Sequence, residues 1–455
     1  MSGIFGVVSE EDCVHDLFYG TDYHSHLGKK IGGMAVFDGK KFHNEIKAID
    51  IYPFRPQLDK FRLGVSGKQG IGVIGDYEPQ PLIIGSPLGD YAIAHVGKVN
   101  NLDALVLAAY NRKDHFNEMS LGEVNPTELI GTLINQGKSY IDGIEIMQNN
   151  IKGSSSIMLL TREGIYVSRD KYGRTPINIG KKEGSMVASF ESFALDNLGF
   201  ENIHYLGPGE IGILTNKGYE QLKPSENLLQ ICTFLWIYYG NPGTVYENLG
   251  VEDIRNNLGK TLAKADKEKI KRLDYVAGIP NSGNAGAFGY SNEAYLPLKR
   301  PFIKYDETWQ RSFMPQDDQT RKFVAKMKLI VLPRLIRGAK AEIIDDSLVR
   351  GNQSEDQFNI FFSHGAEEAH FGLTCPPINY GCKFLNFSRS KSEEELAVRK
   401  AIIEIEGKSI LDISKYVDET SGAHIEMVER IRRTVGVTTL QYQRLNDMVS
   451  AIGLP

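Results

Sequence analysis

Hydrophobic and polar positions alternate in short runs through the first half of the chain. Apolar segments such as "GIFGVV" from Gly3, "YAIAHVG" from Tyr91 and "EIGILT" from Glu210 are separated by turn-forming residues. Alternation of this kind, punctuated by glycine and proline, predicts a β-rich domain. Within it, "LTREGIYV" predicts a hairpin that turns at Glu163-Gly164.

Two stretches of the first half have helical rather than strand-like patterns. They are Leu102–Tyr110 and Pro126–Gln136. Asn125 is placed to cap the second helix and Pro126 to occupy its first turn, where the missing N–H group costs nothing.

The pattern changes after about residue 230. A helix is predicted from Val251 ("VEDIRNNLGKTLAKA"), and short apolar strands from Asp274 ("DYVAGIP") and Ala341 ("AEIIDDS"). The next predicted helix begins at Ser354 and is capped by a glycine at its C-terminus. A charged helical segment begins at Lys391. Strand, loop, helix and strand in this order predict a parallel α/β sheet.

Length and composition fit a protein with two or three domains, and the change of pattern leads us to expect two, at residues 1–230 and 231–455. Hydrophobic residues make up 41% and charged residues 24% of the 455, with a formal net charge of −5. This balance argues against nucleic acid or an anionic membrane as the main partner. The sequence has no run of about 18 apolar residues, no signal-like start and only four scattered cysteines. We therefore expect a cytoplasmic protein with reduced thiols.

The strongest candidate site follows the strand that begins at Ala341. The strand delivers Asp345 and Asp346 to its carboxyl end, and the loop Ser347–Gln353 then opens a helix. Ligands bind at this end of open α/β sheets, and loop amides with a helix N-terminus suit a phosphate. The two acids can hold ribose hydroxyls directly or through Mg²⁺, which prefers oxygen ligands. The alternative is an acid pair that only caps a surface helix.

This segment, "AEIIDDSLVRGNQ", resembles the diphosphoribosyl-binding motif of type I phosphoribosyltransferases. In glutamine phosphoribosylpyrophosphate amidotransferases the motif commonly reads "VVDDSIVRGTT", so Asn352 and Gln353 replace two threonines. The resemblance implies that Asp345 and Asp346 hold the ribose or Mg²⁺. It assigns the 5′-phosphate to Ser347, Leu348, Val349, Arg350, Gly351, Asn352 and Gln353.

Two more segments resemble that family. "GIPNSGNAGAFGY" from Gly278 is similar to its "PIPESG" loop, which implies that Ser282 contacts the metal and pyrophosphate, although Asn281 replaces a glutamate. Alone, such a loop is more often a simple turn. The segment from Phe302 resembles the family's mobile lid.

Four cations of the lid pattern are retained, namely Lys304, Arg311, Arg321 and Lys328, while Asp306 and Glu307 depart from it. The resemblance implies that the cations neutralise departing pyrophosphate and that lid closure excludes water. The alternative is a solvated charged loop.

The N-terminal segment "MSGIFGVV" resembles the "MCGIFGI" start of class II glutamine amidotransferases, whose cysteine attacks the glutamine amide. Ser2 stands at this nucleophile position. A serine hydroxyl is much harder to deprotonate than a thiol, so we regard Ser2 as a degenerate nucleophile.

The remaining glutaminase motifs are also altered. "HLGKKIGGM" lacks the arginine and glutamine of "HRGQDAAGI", and "GVIGDYE" lacks the arginine of "GHxRYxT". In "AHVGKVNN" Gly97 survives from the oxyanion hole but Val96 replaces its asparagine, and Pro126 replaces the aspartate of "SDTEV". The simultaneous loss of these roles predicts that glutaminase activity is absent.

Some members of this family hold a [4Fe–4S] cluster with four cysteines. Cys232 and Cys382 match two of the ligands, whereas the terminal pair expected after Pro455 is not in the sequence. An incomplete set of thiolates predicts no iron–sulfur cluster. The two cysteines would then be buried or leftover thiols.

The resemblance implies an αββα sandwich of the Ntn-hydrolase type followed by a type I phosphoribosyltransferase domain, in a homo-oligomer. It implies Mg²⁺-dependent transfer of an amine to C1 of phosphoribosylpyrophosphate, with release of pyrophosphate, as in the first step of purine synthesis. The amine would be free ammonia, ammonia from a supplying partner, or another amine acceptor. The alternatives are a non-catalytic regulator that binds phosphoribosylpyrophosphate or nucleotides and, less favoured, glutamine-dependent activity through Ser2.

Overall fold

The structure is a computed structural model that describes residues 2–120, 122–305, 329–385 and 392–454. Its first half contains two antiparallel sheets. The strands are β1 Gly3–Ser9, β2 Ile31–Phe37, β3 Phe42–Ala48, β4 Gln69–Gly75, β5 Leu82–Ile84, β6 Tyr91–Val99, β7 Met119–Ser120, β8 Glu123–Val124, β9 Gly153–Leu160, β10 Ile165–Ser168, β11 Asn178–Lys182, β12 Ser185–Ser189, β13 Glu201–Tyr205, β14 Ile211–Thr215 and β15 Gly218–Lys223. One sheet has the order β13-β11-β12-β1-β4-β2-β3 and the other β15-β14-β10-β9-β6-β5, while β7 and β8 form a separate pair.

Helices cover the outer face of each sheet. The helices of this half are Val14–Asp22, Phe54–Gly64, Leu102–Asn111, Pro126–Ile134, Tyr140–Asn150 and Phe193–Asn197. Ile4 packs between the two sheets, whereas its neighbour Phe5 packs outward against the first helix. Successive side chains of a strand point to opposite faces, so a strand covered on both sides is apolar throughout. The result is the predicted αββα sandwich.

The hairpin and the helix cap that the sequence predicts in this half are both confirmed. Strands β9 and β10 pair antiparallel around Gly164, with Ile165 opposite Leu160. The Asn125 side chain caps its helix by accepting a hydrogen bond from the Thr127 N–H group. Four of the six helices listed above, all but Leu102–Asn111 and Pro126–Ile134, were not predicted from the sequence.

A parallel sheet forms the core of the second half. The strands are β16 Val245–Tyr246, β17 Leu249–Gly250, β18 Tyr275–Gly278, β19 Phe302–Lys304, β20 Leu329–Val331, β21 Lys340–Asp345, β22 Glu368–Leu373 and β23 Thr439–Tyr442. The sheet has the order β18-β21-β22-β23, and its three strand pairs are parallel. The prediction of a parallel α/β sheet is therefore confirmed.

Helices cover both faces of this sheet. The helices are Val251–Ala265, Lys267–Ile270, Asn284–Ala294, Pro333–Ile336, Asn352–Ser363, Ala397–Glu406, Ser414–Val417, Gly422–Val435 and Leu445–Ile452, with a π-helical turn at Leu235–Tyr239 and a 3-10 turn at Glu393–Glu395. The first and third pack on one face through Leu262 and Tyr290, and Phe361 and Met427 pack on the other. The segment predicted helical from Lys391 becomes α-helical only at Ala397; Lys391 itself lies outside the described residues.

The two halves share a continuous apolar core. Leu235 and Trp236 are fully buried beside Tyr246, and they join the cluster that lies between the sheets of the first half. The Trp236 indole donates a hydrogen bond to the Leu249 carbonyl at 3.0 Å. Among the helices that the structure describes, none has the length and hydropathy needed to cross a bilayer.

Candidate functional site

Asp345 and Asp346 lie at the carboxyl end of a central strand. β21 is flanked by β18 on one side and β22 on the other, in parallel register. Its apolar residues are buried on both faces, which fixes the strand and therefore the position of the two acids. The site thus lies at the edge of the sheet where ligands of open α/β folds bind.

A hydrogen bond connects the acid pair to the neighbouring loop. The Ser282 hydroxyl donates to Asp345 Oδ1 at 2.8 Å, and the Asp346 N–H group donates to the same oxygen at 2.9 Å. The Ser347 hydroxyl donates to Asp346 Oδ1. Two of the loops predicted to act together therefore meet at Asp345.

Both carboxyl groups are held in an environment that disfavours their negative charge. Burial, followed by the charge of Asp346, raises the pKa of Asp345 well above its ordinary value. Burial also raises the pKa of Asp346, although the hydroxyls of Ser347 and Ser282 oppose this shift. A cation or ribose hydroxyl donors at this point would relieve the repulsion.

Gly283 closes the loop against the acid-bearing strand. A Cβ atom at this position would lie 2.0 Å from the Ile344 carbonyl oxygen, so only glycine permits the close approach. The Ile279 N–H group donates to the same carbonyl at 2.8 Å, and the Pro280–Asn281 peptide is cis. The helix Asn284–Ala294 begins directly after the loop.

The loop after Asp346 is anchored in several ways. Leu348 is buried at 2% exposure, while the Val349 carbonyl accepts from the Ala397 N–H group at 2.8 Å. Gly351 has a φ of 86° and begins the helix that Asn352 opens. Its N-terminal turn and the preceding amides therefore face the same edge as the two acids.

Side chains of this loop already have contacts within the protein. Arg350 Nη2 lies 2.8 Å from Glu395 Oε2, and Lys400 Nζ donates to the Asn352 side-chain oxygen at 3.2 Å. The backbone of the loop, rather than these two side chains, is the part of the motif that suits a phosphate.

The predicted lid falls largely outside the described residues. Lys304 ends β19 and is exposed. Arg311 and Lys328, together with Asp306 and Glu307, lie in the range 306–328 that is not described. Their assignment stays a prediction.

Arg255 was missed from the sequence. Its guanidinium donates to the Trp236 carbonyl at 2.7 Å and to the Gly240 carbonyl at 2.9 Å. The charge of this buried arginine is among the influences that lower the pKa of Asp346. Only its place in an amphipathic helical pattern is visible in the sequence, and that pattern does not reveal a buried charge.

Ser2 directly precedes β1 and is buried at 7% exposure. A Cβ atom at Gly75 would lie 2.7 Å from Ser2 Oγ. Gly75 stands where the glutaminase pattern "GHxRYxT" has its arginine. The structure therefore places Ser2, which stands at the nucleophile position that the resemblance implies, against the backbone of Gly75 and not against a long cationic side chain.

The positions that the resemblance assigns to the oxyanion hole also differ from the family pattern. Gly97 keeps a φ of 142°, and a Cβ atom there would lie 1.9 Å from the Ser154 carbonyl oxygen. Val96, which replaces the asparagine, is 1% exposed and packs in the apolar core between the sheets. The backbone turn is thus retained while one of the donors is replaced by an apolar side chain.

A buried acid and a histidine to which sequence reasoning gave no role lie within two of these altered motifs. Glu78 Oε1 is 3.2 Å from His95 Nε2, and His95 Nδ1 is 3.0 Å from Thr127 Oγ1. Burial raises the pKa of Glu78 to about 7 and lowers the pKa of His95 to about 4. Each shift favours the neutral form.

Replacing Glu78 by glutamine is expected to stabilise the protein above neutral pH. Folding raises the pKa of Glu78 from 4.5 to about 7. The contribution of Glu78 to the free energy of unfolding is therefore fully present below pH 4.5 and is lost as the pH rises through about 7. The variant should therefore match wild type near pH 4 and exceed it by on the order of 2 kcal/mol near pH 8. Urea unfolding at both pH values measures this.

The matched control for this change is Glu220→Gln, on an exposed glutamate of the same domain. It should leave the pH dependence of unfolding unchanged. Equal stability of Glu78→Gln and wild type at both pH values would contradict the interpretation of Glu78 as a neutral buried acid.

A second buried carboxylate joins the two halves. Glu191 is 0% exposed and accepts hydrogen bonds from the Tyr246 hydroxyl at 2.8 Å and the Thr244 hydroxyl at 3.0 Å. His26 Nε2 lies 3.1 Å from Glu191 Oε1. Burial alone would raise the pKa of Glu191, but His26 and Tyr246 hold it below its ordinary value. This network is structural support at the junction.

Comparison with known proteins relates these sites to one family. No protein-family model matches the chain. The amidophosphoribosyltransferase of Archaeoglobus fulgidus is 30% identical over 433 residues, which cover 92% of this chain and 91% of that protein. The chain belongs to the amidophosphoribosyltransferase family. The amidophosphoribosyltransferase of Bacillus subtilis is 27% identical over 465 residues, or 99% of this chain and 89% of that protein.

A solved structure of the amidophosphoribosyltransferase family has the same fold. The glutamine phosphoribosylpyrophosphate amidotransferase of Bacillus subtilis, in complex with ADP and GMP, matches with a TM-score of 0.84 and 24% identity. The match covers 99% of this chain and 92% of that one. The predicted succession of the sandwich and the parallel-sheet domain is thereby confirmed.

We expect that this amidophosphoribosyltransferase relative carries no iron–sulfur cluster. Cys13 and Cys375 are buried in apolar cores, and only Cys232 and Cys382 match cluster positions. Burial raises the pKa of the Cys232 thiol to about 12, and nearby Cys382 acts in the same direction. A [4Fe–4S] cluster is held by four thiolates, of which Cys232 and Cys382 would supply two.

Anaerobic purification followed by iron and sulfide analysis tests this expectation. The double variant Cys232→Ser with Cys382→Ser is the control and should give the same background. A cluster content near one per chain in wild type, lost in the control, would contradict the expectation.

Proposed function

We propose that this chain transfers an amine to C1 of phosphoribosylpyrophosphate and releases pyrophosphate, as in the first step of purine synthesis. The amine is ammonia, or another small amine, rather than nitrogen taken from glutamine. The observation that carries the proposal is the hydrogen bond from Ser282 to Asp345, which joins the loop for pyrophosphate to the loop for the 5′-phosphate. Family membership gives the reaction class.

Each part of the substrate has a group suited to it. Asp345 and Asp346 accept hydrogen bonds from the ribose hydroxyls, and the amides of the loop Ser347–Gln353 bind the 5′-phosphate. The residues Ser347, Leu348, Val349, Arg350, Gly351, Asn352 and Gln353 form this loop. Lys304, with Arg311 and Lys328, supplies positive charge for the departing pyrophosphate.

The two acids also fit Mg²⁺. Both acids are buried, and the pKa of each is raised. A cation between them and the substrate would stabilise the negative charge of both carboxylates. The residues that would hold Mg²⁺ are Asp345, Asp346 and Ser282. No group of three or more acidic, histidine or cysteine side chains arranged for a metal is found in the part of the chain that is described. Mg²⁺ would therefore share oxygens of the pyrophosphate, whose charge it neutralises when bound.

The reaction balances without a further reactant. The lone pair of ammonia forms the C1–N bond while the bond from C1 to the pyrophosphate oxygen breaks, and pyrophosphate leaves with that electron pair. The new ammonium then loses a proton to solvent. The chain's residues hold the sugar and leaving group in place and exclude water from C1.

A non-catalytic role is the second candidate. Arg350 pairs with Glu395 and Asn352 with Lys400, so two side chains of the phosphate loop have contacts in the protein. Asn281, Asn352 and Gln353 also depart from the family's motif. These features favour a regulator that binds phosphoribosylpyrophosphate or a nucleotide and associates with an active homologue.

Pyrophosphate release separates the two candidates. With Mg²⁺ and phosphoribosylpyrophosphate, the enzyme should release pyrophosphate when ammonium is added, faster as pH rises and more ammonia is unprotonated. Glutamine should give no more than the background without acceptor. Asp356→Asn, an exposed acid on the helix Asn352–Ser363, is the control and should turn over normally. Binding without release under all conditions would favour the regulator.

The remaining assignments stay proposals. Residues 1–230 form an amidotransferase-like domain and residues 231–455 a phosphoribosyltransferase domain. In support of this division, the last strand of the sandwich ends at Lys223 and the first strand of the parallel sheet begins at Tyr275. A homo-oligomer in the cytoplasm, with an ammonia-supplying partner, fits the proposed reaction.

A further inference from the structure

A helix from outside the phosphate loop Ser347–Gln353 is docked against it. The helix Ala397–Glu406 begins beside the loop, where the Ala397 N–H group donates to the Val349 carbonyl at 2.8 Å. The inward face of this helix is buried in the apolar core of the second half, through Val398, Ala401 and Ile402. Apolar packing therefore fixes the helix relative to the loop.

Lys400 of this helix contacts the loop with its side chain. It follows Ala397 by three residues and so lies on the same side of the helix. Lys400 Nζ donates to the Arg350 carbonyl at 3.2 Å and to Asn352 Oδ1 at 3.2 Å. Both acceptors are neutral oxygens, one just before and one just after Gly351 in the chain.

The positive charge of Lys400 is not neutralised by an acid in the described part of the chain. Its half-buried side chain takes part in none of the ion pairs found there. Glu395, in the 3-10 turn before the helix, pairs instead with Arg350 at 2.8 Å. The ammonium group is thus held at the loop by neutral oxygens alone.

The contact with Lys400 fixes which way the Asn352 amide points. An ammonium group has donors and no acceptor, so it bonds to the amide oxygen and not to the amide nitrogen. Asn352 Nδ2 lies on the other branch of the same amide and keeps its two N–H donors. A positive charge on the oxygen side also polarises the amide, which strengthens these donors.

Orientation matters at this position because of what asparagine replaces. Asn352 opens the helix Asn352–Ser363 directly after Gly351, where the family's motif has a threonine. A threonine hydroxyl can rotate to donate to a phosphate. An asparagine that is free to rotate presents either its donors or its acceptor oxygen, and the oxygen repels a phosphate. Asparagine can take over the role of the threonine only if its orientation is set.

We propose that Lys400 is a positioning residue that holds Asn352 Oδ1 and thereby turns the Asn352 Nδ2 donors toward the 5′-phosphate. The two residues together replace the threonine hydroxyl of the motif, and the loop amides make the main contacts. This inference rests on the proposed binding of phosphoribosylpyrophosphate at the loop.

Calorimetric titration with ribose 5-phosphate tests the role of Lys400. Lys400→Met should weaken binding about tenfold, because a donor to a charged group is no longer held in place. Lys400→Arg keeps a cationic donor and should stay within about threefold of wild type. Lys408→Met, on an exposed lysine beyond the end of the same helix, is the matched control and should bind normally.

Mg²⁺-pyrophosphate is the control ligand, because it lacks the 5′-phosphate. Its affinity should be the same in wild type and in every variant of Lys400, which also shows that the variants are folded. A parallel loss of affinity for both ligands in Lys400→Met and Lys400→Arg would overturn the proposal in favour of general support of the fold.

A double-mutant cycle with Asn352→Thr separates positioning from direct contact. A hydroxyl needs no orientation by Lys400, so Lys400→Met should cost less than about twofold in the Asn352→Thr background. An equal cost in both backgrounds, or wild-type affinity of Lys400→Met for ribose 5-phosphate, would overturn the role of Lys400 and leave the assignment of the loop intact. Absence of ribose 5-phosphate binding by folded wild type would instead overturn the assignment of the loop, and this inference with it.

Discussion

Asp345→Asn combined with Asp346→Asn is expected to abolish detectable phosphoribosylpyrophosphate binding while leaving the protein folded. Hydrogen bonds to charged groups contribute about 1.5–3 kcal/mol each, so loss of both acids should weaken binding by about 10²- to 10⁴-fold. Pyrophosphate release should fall at least as much, because in the proposed reaction the same groups hold the sugar and Mg²⁺.

The same change should increase stability at neutral pH. Each acid has a folded-state pKa raised above its ordinary value, so its contribution to stability is present at low pH and is lost as pH rises. Asparagine keeps the shape of the side chain without the charge. Two carboxylates that repel each other at the end of a buried strand would lower the stability of the fold. In the proposed function, this loss of stability is the consequence of keeping both acids for binding.

Calorimetric titration with Mg²⁺ and phosphoribosylpyrophosphate, together with thermal unfolding, checks both parts. Asp356→Asn is the control for a single charge change on the neighbouring helix. Substrate should raise the Tm of wild type and of this control but not that of the double variant. Unchanged binding in the double variant would mean that the ligand lies elsewhere.

The sequence predicted those elements whose local signals and packing agree. The helix Val251–Ala265 and the strand ending at Asp345 were found because their apolar positions follow a single period. The cap at Asn125 was found because the asparagine–proline pair has a specific place at a helix start.

Helices with conflicting signals were missed. Phe54–Gly64 carries Pro56, which is compatible with a helix only because the first-turn N–H groups need no partner. It buries only two residues, Phe54 and Leu58, so its periodicity is weak. Val14–Asp22 includes Gly20 and Thr21, whose propensities are poor; burial of Leu17 and Phe18 against the sheet overrides them.

The site was predictable where it is built from one segment and hidden where it is built from several. Asp345, Asp346 and Ser347 are adjacent in sequence, and Ser282 was identified by its own loop. Glu78 follows β4 and His95 lies in β6, and these two strands belong to different sheets that face each other. The two side chains meet only because those sheets pack together. Arg255 reaches the carbonyls of Trp236 and Gly240 through a chain turn that no local pattern encodes.

The second large effect is the failure of glutamine as a nitrogen donor. We expect no hydrolysis of glutamine, with or without phosphoribosylpyrophosphate, and no rescue by Ser2→Cys. A thiol at this position would still face Gly75 instead of an arginine, and Pro126 stands where the family's aspartate would contact the substrate amine.

The predicted loss of the oxyanion contribution sets the scale of this expected effect. Val96 is buried in the core, so restoring a donor there would place an amide among apolar side chains. Removal of one oxyanion donor costs about 2.7–4 kcal/mol, or about 10²- to 10³-fold in rate. Loss of the nucleophile, the donor and both substrate contacts together should place turnover far below the roughly 1 s⁻¹ of slow enzymes.

Glutamate formation from glutamine, measured for wild type, Ser2→Cys and Ser2→Ala, decides the matter. All three should remain at background, and all three should release pyrophosphate equally with ammonium, because Ser2 lies in the sandwich and not at Asp345. Turnover of glutamine by wild type approaching about 1 s⁻¹ would refute the assignment of a degenerate site. Activity gained in Ser2→Cys alone would show that substrate contacts persist and that only the nucleophile was lost. Background rates in all three proteins, with ammonium-dependent release intact, would leave transfer from free ammonia as the activity of the chain.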